Sequence, residues 1–269
     1  MPHSSLRRCR SLLFLPASNP RAIEKARTLA ADMVILDLED AVKEEDKARA
    51  RAAAVAAVGE GFGGRPAAIR VNVGDSSHYD EDVVAVHESA ADYVVLPKAE
   101  RVEQLEAVAR LTGKPVVAMV ETAAGVLAAP ALASACAGLI AGTNDLAADL
   151  GLPADAGREG LAHALQAILL AARAARIAAF DGVHNRLEDS EGLAAQCREG
   201  RAFGFDGKSV IHPSQIDIVN RIFSPGADEV ETAARLIAAA GGGAERFEGR
   251  MIEAMHVAQA QAVLAKARR

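Results

Sequence analysis

The stretch from Val116 to Asp145 reads VVAMVETAAGVLAAPALASACAGLIAGTND, and the way it divides decides the fold. Between Glu121 and Asp145 it carries no charge and is long enough in residues to span a bilayer. Its content points elsewhere. Ala and Gly dominate, Pro130 interrupts, and a new apolar segment, Leu139-Ile140-Ala141-Gly142, begins after Gly138. A strand from Val116 to Val120, an Ala-rich helix from about Ala124 and a second strand from Gly138 to Gly142 account for the whole of it.

The same alternation runs outward in both directions. Further strands are predicted from Ser11 to Leu15, Met33 to Leu38, Ala67 to Asn72, Tyr93 to Pro97, Ala178 to Val183 and Lys208 to Ile211. Helical periodicity begins near Pro20, Glu44, Asp80, Arg101, Gly160, Ser190 and Ser214, with Asn19-Pro20 as a cap and first-turn proline. Eight strand–helix units in about 225 residues fit a closed (β/α)8 TIM barrel. An open doubly wound sheet fits less well, because Pro16-Ala17-Ser18-Asn19-Pro20 stands where a glycine fingerprint would follow the first strand. Residues 1–225 are therefore read as a TIM barrel catalytic domain, and residues 226–269 as a C-terminal helical extension or lid, jointed at Gly241-Gly242-Gly243.

Composition narrows the function. With 51% hydrophobic residues the chain can bury a core, but at 3% aromatic that core is Ala, Val, Leu and Ile, and no platform exists for stacking single-stranded bases. A net charge of −6 removes the general attraction to nucleic acid. Cys9, Cys136 and Cys197 are odd in number and widely spaced, which suits a reducing compartment. Arg7, Arg8 and Arg10 precede an apolar run too short for a secretory signal, so a cytoplasmic protein without membrane segments is expected.

In a barrel of this kind chemistry sits where the strands end at their carboxyl side. Those ends offer Asp37, Glu39 and Asp40, then Arg70 and Asn72, Lys98 and Glu100, Glu121, Asn144 and Asp145, Asp181 and His184, and His212. Asp37, Arg70, Glu121 and Asp145 adjoin hydrophobic runs, where a desolvated charge needs partners. Two readings stand open: carboxylates gathered around a hard divalent cation such as Mg2+, or an internal ion-pair network neutralised by Arg70 and Lys98. His184 and His212 lack the further ligands of a zinc site, and His212 is read as a structural residue of the rim. No GxSxG elbow and no GxxxxGK[ST] loop occurs.

Taken in order, Ser11-Leu12-Leu13-Phe14-Leu15-Pro16, Leu36-Asp37-Leu38-Glu39-Asp40-Ala41-Val42, Arg70-Val71-Asn72, Leu96-Pro97-Lys98-Ala99-Glu100, Val120-Glu121-Thr122-Ala123, Gly142-Thr143-Asn144-Asp145-Leu146 and the run from Gly204 to Ile216 resemble the citrate lyase beta subunit family. This family groups with malyl-CoA lyases and related Mg2+-dependent aldolases. The resemblance implies a TIM barrel, commonly trimeric, that cleaves or forms a carbon–carbon bond between an acetyl-CoA enolate and an α-keto acid such as oxaloacetate. It implies Glu121 and Asp145 as Mg2+ ligands, and Arg70 as the clamp on the keto acid and stabiliser of the enolate oxygen. It further implies Gly142, Thr143 and Asn144 as backbone amides for the same acid, and Phe14, Arg21 and Lys25 as contacts for CoA. Asp37 joins Arg70 as a catalytic candidate.

The last segment departs from that pattern. Where relatives offer an aspartate across a subunit interface as acid or base, Gly249-Arg250-Met251-Ile252-Glu253 carries Glu253, one methylene longer. The leading expectation is a lyase cleaving a 3-hydroxyacyl-CoA of citryl-CoA type into acetyl-CoA and oxaloacetate. The alternatives are a malyl-CoA lyase or malate synthase-like enzyme, a CoA-independent aldolase on a keto acid, and a catalytically weak binding subunit.

Overall fold

Eight short β-branched runs become eight parallel strands because each is buried on both faces, one face lining the barrel interior and the other meeting the helices. The computed structural model describes residues 6–267. Its strands are β1 (Ser11–Pro16), β2 (Met33–Asp37), β3 (Ala67–Arg70), β4 (Tyr93–Leu96), β5 (Val116–Val120), β6 (Gly138–Ala141), β7 (Ala178–Asp181) and β8 (Gly207–Val210), closed in sequence order. The helices are α1 (Pro20–Ala26), α2 (Lys47–Glu60), α3 (Tyr79–Glu88), α4 (Val102–Thr112), α5 (Ala123–Ser134), α6 (Thr143–Asp149), α7 (Ala162–Ala174), α8 (Ser190–Phe203) and α9 (Ile216–Phe223). Among the described residues no helix is long and apolar enough to cross a membrane.

The interior is packed by alternate residues of each strand, Leu12, Met33, Ile35, Ala68, Val95, Val117, Met119, Ile140 and Phe180 among them. Small and branched side chains fill the layers, so the shortage of aromatics costs the core nothing. Register then fixes which side chains meet. Pro16 stands opposite Asp37, Asp37 opposite Arg70, and Val120 opposite Ala141.

Two elements escaped the sequence reading. The helix α6 follows β6 at once, where the periodicity suggested a connection running on to a helix near Gly160. In the tail, β9 (Glu245–Phe247) and β10 (Arg250–Ile252) pair antiparallel across Glu248 and Gly249, both with positive φ, as a tight hairpin requires. The glycine run before the hairpin masked it.

The chain divides into two compact units, one through Asn220 and one from Arg221. The second contains α10 (Ala227–Ala239), the hairpin and α11 (Ala254–Ala267), with Lys266 lying over the Phe223 ring.

One buried network ties the barrel to its helices. Lys208 and Asp181, register partners on β8 and β7 and both fully buried, pair at 2.9 Å. Arg158 pairs Asp181 at 3.0 Å and reaches Glu199 of α8 at 2.6 Å, fastening the segment before α7 to the barrel. Burial alone would push the Asp181 carboxyl up, but Lys208 and Arg158 outweigh it and hold it below the usual range. Its contribution is therefore present above the unfolded carboxyl's titration and is lost as pH falls through the folded value. Asp181→Ala strands a buried ammonium and should cost ~3–5 kcal/mol, read as a lower urea midpoint at neutral pH.

Candidate active site

At the carboxyl ends of the strands lies a cavity of about 420 Å3, lined by Phe14, Asp37, Arg70, Met119, Glu121, Ile140, Gly142, Thr143, Asn144, Asp145, Asn185 and Ser209 among others. Arg70 lines it from the end of β3, opposite Asp37 in register. Its Nε and Nη2 donate to the two Asp37 oxygens at 2.6 Å each, and the Phe14 ring stacks 5.5 Å from the guanidinium carbon. Asp37 also accepts from the backbone N–H groups of Glu39 and Ala41, so both of its oxygens are engaged twice. Of the three carboxylates expected to gather around a cation, Asp37 is thus drawn away: its charge is spent on Arg70.

Glu39, which the sequence offered without a role, completes the cradle. Its Oε2 lies 2.9 Å from Arg70 Nη1, an ion contact without hydrogen-bond alignment, and its Oε1 lies 3.9 Å from Lys98 Nζ. Burial dominates there and raises its pKa to about 7, Arg70 opposing. The ion-pair network left open by the sequence exists for Asp37 and Glu39, and stops there.

Glu121 and Asp145 have no ion-pair partner among the described residues. Glu121 is 2% exposed, and its Oε1 accepts from the Lys98 backbone N–H at 2.7 Å. Lys98 adopts φ 47 to deliver that N–H, an unusual conformation for a residue with a side chain. Burial pushes the Glu121 carboxyl up to about 7; the Lys98 N–H opposes this and the Asp145 charge adds to it. Thr122 fixes the exit from β5 by accepting from Gly125 N–H at the start of α5.

Gly142 explains how two acids fit. It stands one residue beyond the Val120–Ala141 pair, beside Glu121, and a Cβ there would lie 2.4 Å from Glu121 Oε2. Two carboxylates coupled through their charges, one of them with an oxygen beside a glycine that leaves room next to it, suit a hard divalent ion that takes its remaining ligands from water and substrate. No group of three or more His, Cys, Asp or Glu side chains among the described residues could hold a metal alone.

The amide donors need one correction. The Gly142 N–H donates to the Val120 carbonyl at 2.9 Å, so Gly142 cannot offer it to a ligand. The first amides of α6, at Thr143 and Asn144, are the ones that helix geometry leaves without intrahelical acceptors. Arg21 and Lys25 are exposed on α1 and lie outside the residues lining the cavity. His212 caps the turn after β8 through Ser214 N–H, as a structural rim residue would. Glu253 belongs to the second unit, exposed just before α11, its N–H donating to His256 Nδ1.

A neighbouring cavity of about 860 Å3 shares Thr143, Asn144, Val183 and Asn185 with the first. Between them Asn144 and Asn185 exchange two side-chain amide hydrogen bonds, 3.2 and 2.7 Å long.

Residues 10–213 match the family model described as HpcH/HpaI aldolase/citrate lyase. The chain belongs to the HpcH/HpaI aldolase/citrate lyase family. A second model, a carbon–carbon bond lyase of the TIM-barrel fold, matches residues 163–269. Among family relatives, the (3S)-malyl-CoA thioesterase of Cereibacter sphaeroides is 43% identical over 268 residues, covering 96% of this chain and 94% of that protein. The crystal structure of CitE from Mycobacterium tuberculosis with magnesium, acetoacetate and coenzyme A superposes with a TM-score of 0.83 at 36% identity, covering 98% of this chain and all of that one. A citrate lyase beta subunit from the same organism, complexed with oxaloacetate and magnesium, gives 0.73 at 38% identity over 82% of this chain and 100% of that one. Like its family, the protein is a TIM-barrel carbon–carbon lyase.

Gly142→Ala brings a Cβ to 2.4 Å from Glu121 Cβ as well as from its carboxylate, so it should both push the ends of β5 and β6 apart and displace the carboxylate. The expected outcome is a roughly 10- to 100-fold loss of Mg2+ affinity by calorimetry, with a lowered urea midpoint.

Proposed function

We propose that the protein is a Mg2+-dependent lyase that cleaves a 3-hydroxyacyl-CoA of citryl-CoA type into acetyl-CoA and oxaloacetate, or runs the reverse condensation. The carrying observation is the pair Glu121 and Asp145, without cationic partners, beside an Arg70 pinned by Asp37. Those two carboxylates would hold the metal, which when bound supplies Lewis-acid polarisation of the oxygen that becomes the keto group.

The chain's own residues do the rest. Arg70 is oriented by Asp37 before substrate arrives, leaving N–H donors for the keto acid carboxylate and for charge developing on the thioester oxygen. Asp37, saturated by four hydrogen bonds, contributes by holding Arg70 rather than by carrying a proton. Thr143 and Asn144 add backbone amides, and Phe14 supports the guanidinium from below. Arg21 and Lys25 remain suited to CoA phosphates lying outside the cavity, since both charges are exposed. Residues 226–269 act as the C-terminal extension or lid, and Glu253 is the acid or base offered to a second copy in a homotrimer. The three free cysteines accord with a cytoplasmic location.

A second reading is thioester hydrolysis of the same substrates, favoured by the name of the 43%-identical relative from Cereibacter sphaeroides. Product analysis separates the two. With Mg2+, citryl-CoA or malyl-CoA should yield acetyl-CoA and a keto acid; free CoA with citrate or malate would favour hydrolysis, and no consumption of either thioester would overturn both.

Glu121→Ala should abolish Mg2+ binding in calorimetry, and Arg70→Lys should lower kcat/KM by roughly 100-fold or more. Because the Glu121 carboxyl titrates near 7 in the metal-free protein, cation must displace its proton below that pH. Mg2+ affinity should therefore rise with pH toward about 7, changing by up to tenfold per unit below it.

A further inference from the structure

We propose that the Ser209 hydroxyl is a substrate contact that reads the side group of the keto acid and favours one bearing an oxygen. The inference rests on the keto-acid reading of the cavity given above and deepens it. Strand alternation places Gly207 and Ser209 on one face of β8, opposite to Lys208, whose ammonium pairs with Asp181. Ser209 pairs in register with Leu12 of β1, lines the cavity, and is 2% exposed.

Its Oγ has no hydrogen-bond partner. Among the described residues that line this cavity, no other has a buried side-chain nitrogen or oxygen left in that state. A hydroxyl taken out of water and left unpaired destabilises a fold, and Ala would fill the position without that penalty. The apolar part of the cavity wall includes Phe14, Met119 and Ile140. Arg70, Glu121, Asp145 and the first amides of α6 account for the carboxylate and keto ends of the acid. The third substituent is left to this apolar wall, in which Ser209 is the unpaired donor. A substituent with an oxygen, as in oxaloacetate, satisfies that donor; hydrogen or methyl, as in glyoxylate or pyruvate, leaves it orphaned.

Two acids of equal size isolate the effect. 3-Hydroxypyruvate and 2-oxobutyrate differ by a hydroxyl in place of a methyl, and both are titrated with Mg2+ present by calorimetry. The wild-type protein should bind the hydroxyl acid more tightly. Ser209→Ala should weaken that acid by roughly 5- to 10-fold and leave 2-oxobutyrate unchanged, while Ser209→Thr restores the preference. Apo Ser209→Ala should melt at or above the wild-type temperature, the reverse of what a structural serine would give. Equal affinities for the two acids in the wild-type protein, or equal losses in Ser209→Ala, would overturn the proposal and leave the keto-acid site standing. Failure of both acids to bind the wild-type protein would remove the site reading, and this inference with it.

Discussion

The two-point ion pair between Asp37 and Arg70 organises the mouth of the barrel. Parallel register sets the two residues opposite each other on β2 and β3, so the pair follows from strand pairing itself. Once it forms, Asp37 is unavailable to a cation and Arg70 has one orientation, over Phe14 and against Glu39. The remaining acids, Glu121 and Asp145, then repel each other with no ion-pair partner among the described residues, Arg70 offsetting only part of the effect on Glu121. A mutual repulsion of this kind is tolerated in a folded protein when a ligand relieves it, and it is paid for by the rest of the barrel.

The alternation of apolar runs and Ala-rich helices made all eight strands legible, because strands buried on both faces are continuous in hydrophobicity and short. Glu121, Asp145 and Arg70 were legible for a related reason: a charge directly after such a run has nowhere to go except the barrel mouth. The role of Asp37 was harder to read. Sequence places it among the acids but says nothing of register, and register turns it from a possible ligand into the partner of Arg70. Gly142 was misread similarly, since its N–H is consumed by Val120 and its value lies in the missing Cβ. Glu39 shows in the sequence only as one more acid at the end of β2, and Ser209 carries no signal beyond inward alternation. Their significance appears only when hydrogen bonds are counted atom by atom.

Family membership and site chemistry constrain different things. Membership, over nearly the whole chain, accounts for the barrel and the lyase class. The division between cleavage and hydrolysis turns on where a proton goes and whether water reaches the thioester, and these are matters of single side chains.

The Asn144–Asn185 bridge has a consequence of its own kind. It joins the start of α6 to the segment after β7 by two neutral amides, beside the charged groups of the mouth. Amides neither titrate near neutrality nor feel ionic screening strongly. The bridge between two residues that line both cavities therefore does not change with the protonation of the ionic contacts beside it. Acid and salt act on the carboxylates and guanidinium of this centre and leave that one link between α6 and the segment after β7 unaltered in charge.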